Sequence, residues 1–270
     1  MTTLRTFFRS CLTVSAISSA LLLSACDTTP KDETAKWTPE RLYTEAKEEA
    51  SAGAYEKAIK LYERLEGRAA GTVLAQQAQL ERAYLLWKTA EPAQALSTIE
   101  RFLKLHPTSP AYDYALYLQG LINFNDNLGL LGSLASQDLS ERDQQAARDS
   151  YQSFRQLVER FPQSSYADDA RLRMNYIVNS LAAYEVHVAR YYYRRGAYIA
   201  AVNRAQAAVQ EFQQSPSIEE ALYIMAMSYD RLGLTQLRDD ADRVLKANFP
   251  NTRIYANGLG NKQAPWWKPW

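Results

Sequence analysis

The sequence predicts an all-α protein, a tetratricopeptide-repeat superhelix of about five helix pairs. Three observations carry that reading. Apolar residues recur at helical spacing, alanine-centred segments return after about one repeat length, and proline stops return with similar residues before them. Ala58 in Gly53-Ala-Tyr-Glu-Lys-Ala-Ile59 aligns with Ala95 in Glu91-Pro-Ala-Gln-Ala-Leu96, 37 residues later. Tetratricopeptide repeats have a period of about 34 residues, and their helix pairs must stack to bury their apolar faces. The stops are Phe102-Leu-Lys-Leu-His-Pro107, Leu157-Val-Glu-Arg-Phe-Pro162 and Leu245-Lys-Ala-Asn-Phe-Pro250. Proline cannot continue a helix and suits the turn between repeats.

The chain begins with an export segment. Arg5 and Arg9 precede an apolar run, Cys11 to Leu23, too short to span a bilayer as a mature helix. It ends in Leu23-Ser24-Ala25-Cys26, which resembles the bacterial lipoprotein box. That resemblance implies cleavage after residue 25 and a covalent lipid on Cys26, an S-diacylglycerol and an N-acyl chain. An ordinary signal peptide with a chance cysteine at its border is the alternative. Cys11 leaves with the signal, so residues 26–270 have no cysteine pair to bridge, and stability must come from the core. With 47% hydrophobic residues the chain can build one. Removing residues 1–25 takes away two arginines and no acid, leaving 29 basic against 30 acidic residues. That balance argues against nucleic acid, whose phosphates call for a basic excess.

Residues 26–37 are polar and aperiodic and read as a lipidated tether. Thr38-Pro39-Glu40 then starts a helix, with threonine to cap it, proline in the first turn and an acid beside the positive dipole end. The pairs fall at 38–67, 72–105, 110–161, 165–213 and 217–249, grouped as N-terminal repeats (38–124) and C-terminal repeats (141–250). Asn125 to Ser140 is an insert whose apolar residues alternate with glycine and small polar residues, the composition of an ordered surface loop. The fourth pair opens with a long helix, 165–195, of about 45 Å. Its stripe is Ala170, Met174, Ile177, Leu181, Tyr184, Val188 and Tyr191. Residues 251–270 form a tail holding three of the five tryptophans. It reads either as a disordered end or as a segment that packs in a groove or at a membrane interface.

Catalytic constellations are lacking. His106 and His187 show no metal-ligand spacing, and there is no glycine-rich phosphate loop and no G-x-S-x-G. Asp168-Asp169 reads as a dipole-stabilised helix start, and Asp239-Asp240-Ala241-Asp242 as a solvated face. Neither a cofactor nor a metal is expected. What stands out is Tyr184 to Arg204, where Tyr191, Tyr192, Tyr193 and Tyr198 mix with Arg190, Arg194, Arg195 and Arg204. Tyrosine and arginine together suit a protein interface. A solvated basic helix end is the plainer alternative.

The box at Cys26, Leu42-Tyr43-x-x-Ala46, Gln76-Gln77-Ala78-Gln79-Leu80, Asp113-Tyr114-Ala115-Leu116-Tyr117-Leu118-Gln119-Gly120-Leu121, the Glu141 to Ser153 region and Tyr184 to Arg204 together resemble the BamD (ComL) family. These are lipoproteins of the β-barrel assembly machinery. The resemblance implies a non-catalytic scaffold at the periplasmic face of the outer membrane, anchored by its lipid. It implies binding of the last POTRA domain of BamA by the C-terminal repeats, and of unfolded outer-membrane proteins by the N-terminal ones, with BamC and BamE homologues as further partners. By that match Tyr192, Arg194, Arg195, Asn203 and Arg204 form the BamA contact, and Arg204→Glu is expected to abolish it with helical content intact. Arg68-Ala69-Ala70-Gly71 departs from the family's aromatic-proline-phenylalanine-glycine turn. A different periplasmic tetratricopeptide adaptor, coordinating cell-wall synthesis, is the competing reading; an enzyme built on the solenoid is the third.

Overall fold

The computed structural model describes residues 34–124 and 144–259. Their helices are α1 (Pro39–Ser51), α2 (Tyr55–Arg68), α3 (Val73–Lys88), α4 (Pro92–Leu105), α5 (Tyr112–Asn123), α6 (Gln144–Arg160), α7 (Ala167–Arg194), α8 (Tyr198–Glu211), α9 (Ile218–Arg231), α10 (Thr235–Asn248) and α11 (Ile254–Asn257). The first ten make five antiparallel pairs, the tetratricopeptide architecture. Cys26, the 125–140 insert and the tail tryptophans lie outside the described residues.

Two turn designs, each set by a few residues, build the stack. Within a pair, the first helix closes with a backbone N–H reaching five residues back: Ala54 to Glu49, Glu91 to Leu86, Ala197 to Tyr192 and Leu234 to Tyr229. The residue before each donor has positive φ: Gly53, Ala90, Gly196 and Gly233. This is a glycine-type helix stop that satisfies the last carbonyls, and Ala90 adopts it without glycine's freedom. Between pairs, the second helix closes on His106, Phe161, Phe212 or Phe249. Three residues later Ser109, Ser164, Ser215 or Thr252 accepts a backbone N–H on its side-chain oxygen and starts the next helix.

First helices touch the first helix of the neighbouring repeat, α1 with α3, α3 with α5, and α7 with α9. They line the inner side of the curve. Within the third pair, α5 and α6 close tightly: Phe154 is fully buried against Gly120 and the Ser150 hydroxyl donates to the Gly120 carbonyl at 2.8 Å.

Helix α7 is about 42 Å long at 1.5 Å per residue. The predicted stripe holds through Ala170, Ile177 and Leu181, all buried. It then fails: Tyr184 and Val188 are half-buried and Tyr191 is 52% exposed, while Glu185, Val186 and Ala189 are buried instead. The first half of α7 packs under α5 and α6, with Asp169 accepting the Tyr117 hydroxyl at 2.7 Å. The second half packs on α8 and α9, so the buried face rotates. A 3.5-residue count drifts from a straight 3.6-residue helix over this length.

Two segments differ from the sequence expectation. Residues 34–37 are not a free tether. Thr34 is 5% exposed, accepts from Arg64 and Arg68, and its carbonyl receives the Trp37 N–H. Trp37 packs on the first repeat with the Arg41 guanidinium 4.4 Å above its ring. The Arg68–Gly71 turn is thereby tied to the N-terminal segment. Beyond Pro250, where no helix was expected, α11 begins a sixth repeat and stops after one turn at Gly258. Ile254 and Leu259 seat on the last core, and Tyr255 meets Tyr223 edge-on and donates to Asp242. With Lys246 also donating, Asp242 is held below the usual carboxylate range. A solenoid needs such a cap on its last exposed face.

Candidate partner-binding site

The hairpin of α7 and α8 turns at Gly196, and its tip carries the predicted contact residues. Arg194 and Arg195 end α7 with exposed side chains, where cations complement the negative end of the helix dipole. Among the described residues neither forms an ion pair; Arg195 lies 5.4 Å from the Tyr191 ring centroid. Tyr191 meets Tyr192 edge-on at 5.8 Å, and Tyr192 is half-buried against the core. Tyr193 packs on Tyr198, with centroids 5.6 Å apart. Ile199 opens the facing side of α8 at 66% exposure. An exposed isoleucine and tyrosine beside two unpaired arginines make a surface able to grip an acidic partner.

Asn203 and Arg204 sit lower on the hairpin. Asn203 is exposed. Arg204 donates to Glu185 at 3.2 Å across the two helices, and Glu185 is only 7% exposed. The rung lies ten residues from Arg195, about 15 Å along α7. One patch of ordinary interface size spans both. Arg190 is different again. It grips Glu220 of α9 with two hydrogen bonds, 2.6 and 2.8 Å, and so braces repeats four and five. Arg190 is thus committed to Glu220, whereas Arg194, one turn on, is exposed. Glu185 and Glu220 were invisible as partners in the sequence, because each pairs across helices with a residue 19 or 30 positions away.

The Glu185 rung adds a stability cost to Arg204→Glu. That change places a second carboxylate beside a buried one and removes its counterion. Breaking a buried pair costs about 3–5 kcal/mol, and the half-exposed Arg204 side chain reduces this to about 2 kcal/mol. Urea unfolding is expected to show that loss for Arg204→Glu and under half of it for Arg204→Gln. Equal stability of Arg204→Glu and wild type would remove the rung's structural role.

A family model described as outer membrane lipoprotein, YfiO, matches residues 35–245. The chain belongs to the YfiO family of outer membrane lipoproteins. Similar to it are the outer membrane protein assembly factor BamD of Neisseria meningitidis, 46% identical over 94% of this chain and 97% of that one. The BamD of Vibrio cholerae is 32% identical over 87% and 98%, and that of Haemophilus influenzae 30% over 90% and 93%. Among solved structures, the crystal structure of MamA protein covers 84% of this chain and 98% of its own at 14% identity, with a TM-score of 0.38. The YfiO match spans both α7 and α8, the whole tip included.

Elsewhere among the described residues, charged groups pair with one another. Asp168 and Asp169 pair with Arg171 and Arg173 at 2.6 Å each, in the first turn of α7. Among the described residues no group of three or more His, Cys, Asp or Glu could hold a metal, and no helix is long and apolar enough to cross a membrane. A shallow polar groove of about 670 Å³ runs past Glu100, Gln119, Asp149, Gln152, Arg155 and Glu159, without a nucleophile and base in contact.

Proposed function

We propose that this chain is a non-catalytic scaffold of outer-membrane protein assembly, anchored by a lipid on Cys26 at the periplasmic face of the outer membrane. Through the tip of α7 and α8 it holds a BamA POTRA domain; through its N-terminal repeats it holds unfolded β-barrel proteins; BamC and BamE homologues complete the assembly. The observation that carries the BamA contact is the pair of exposed, unpaired arginines, Arg194 and Arg195, set beside exposed Tyr191 and Ile199. The cationic, aromatic composition is that of an interface centre. Relatives 30–46% identical over 87–94% of this chain are named outer membrane protein assembly factors, which supports the same role here.

Affinity purification of the tagged chain from detergent-solubilised envelopes, read by mass spectrometry, is expected to recover BamA and nascent β-barrel proteins. Recovery dominated by cell-wall enzymes would overturn the proposal. Cys26→Ser is expected to lose fatty acylation and to release the chain into the soluble periplasmic fraction; an unchanged membrane fraction would refute the anchor.

A further inference from the structure

The inner face of the first three repeats holds an aromatic row that packing buries only in part. Tyr43 of α1 leans on Tyr62, with centroids 5.9 Å apart; Tyr84 and Trp87 of α3 meet at 6.0 Å; Tyr114 of α5 meets Tyr166 at 5.5 Å. Tyr43, Tyr84, Trp87 and Tyr114 are each only partly buried. Because α1, α3 and α5 touch in sequence, their rings lie along one concave track. The Lys88 ammonium already rests 5.6 Å from the Tyr84 centroid and 5.9 Å from that of Trp87, so these rings accept a cation.

Glu81 stands in the middle of this track, on the Tyr84 and Lys88 face of α3 by its three- and seven-residue spacing. Several half-buried or buried carboxylates elsewhere are matched: Glu66 to Arg82 and Arg101, Asp169 to Arg173, Glu185 to Arg204 and Glu220 to Arg190. Glu81 forms no hydrogen bond and no ion pair within 4 Å among the described residues; the cation that acts on it is the exposed Lys47. Burial holds its carboxyl above the usual range, and Lys47 only offsets this. Tyr114 is pushed up to about 12, first by burial and then by Glu81. A carboxylate half withdrawn from water and left without a partner favours a cationic ligand.

We propose that Glu81 receives a lysine or arginine side chain from an extended peptide whose aromatic side chains lie on Tyr43, Tyr84, Trp87 and Tyr114. This rests on the reading that the N-terminal repeats hold unfolded polypeptide, and it makes an aromatic–basic sequence the preferred occupant. Stacking supplies sequence-tolerant grip, and the single carboxylate supplies the choice.

The test uses the full mature chain in detergent and fluorescein-labelled ten-residue peptides, read by anisotropy and by Trp87 emission. One peptide carries two phenylalanines flanking a lysine, the second has glutamate for that lysine, and the third has serine for both phenylalanines. The first is expected to bind at least tenfold more tightly than either of the others. Glu81→Gln is expected to cost the lysine peptide about tenfold, leave the glutamate peptide unchanged, and melt no earlier than wild type, since it removes an unmatched charge. Equal binding of lysine and glutamate peptides by wild type, with the phenylalanine requirement kept, would overturn the role of Glu81 and leave the groove standing. Failure of all three peptides to bind would overturn the groove as well.

Discussion

Replacing Gly120 by alanine is expected to be among the most destabilising single-methyl changes available in this chain. A Cβ at Gly120 would lie 2.6 Å from Cδ1 and 2.7 Å from Cζ of Phe154, well inside van der Waals contact. Phe154 cannot step aside, because it is fully buried and hemmed by Tyr117 and Phe124 at ring separations of 6.0 and 6.3 Å. Nor can the helices part freely, since Ser150 ties α6 to the Gly120 carbonyl. Alanine's better helix propensity favours the variant by about 1 kcal/mol. Overpacking costs about 1–3 kcal/mol and sometimes more, and with a rigid ring as the obstacle the upper end applies. The net expectation is a loss of about 2 kcal/mol, seen as a melting point lower by roughly 5–8 °C for a chain of this size. Phe154→Leu in the same molecule is expected to recover part of it by vacating the ring position. Recovery is the informative outcome: a Gly120→Ala chain as stable as wild type would mean that α5 and α6 are further apart than described.

Gly120 also shows where sequence reading stops. It belongs to a segment that carries the family resemblance, yet nothing in Leu118-Gln119-Gly120-Leu121 says that a ring 34 positions later fills the missing side chain. Local information fared better. Thr38 caps α1 as its position foretold, accepting the Arg41 N–H at 3.3 Å. Glycine stops and proline or phenylalanine closures mark the ends of the helices because caps and stops act within four or five residues. The α11 cap was missed for want of one comparison. Thr252 follows Phe249 by the same three residues that separate Ser109, Ser164 and Ser215 from their own helix ends, and that offset announces another first helix. The rotated half of α7 could not be read from periodicity, since which face is buried depends on where α8 and α9 return. The same limit applies to the arginines. Composition put Arg190, Arg194, Arg195 and Arg204 in one basic cluster, whereas distant acids claim two of them and leave two facing solvent.

That division decides how the proposed BamA contact is best tested. Arg194→Glu with Arg195→Glu reverses the charge at the tip without touching a buried partner, which Arg204→Glu cannot do. Capture of a purified BamA POTRA domain by the double variant is expected to weaken by about 3 kcal/mol, roughly 150-fold, within the range for charge pairs lost from an interface. Helical content should stay at the wild-type value and the urea midpoint should fall only slightly, since both side chains are exposed and not ion-paired among the described residues. The cost is that of two acids at the negative end of α7, about 0.3–1 kcal/mol each. Salt provides the second reading. Wild-type association should slow as ionic strength rises and screening shortens the reach of the two guanidinium groups, and the double variant should lose most of that dependence. A purely structural defect would lower stability and leave the salt slope alone. Should the double variant bind as wild type does, the tip is not the contact. The acidic partner would then have to be sought elsewhere on the C-terminal repeats, beginning with Asn203 and the outer half of Arg204.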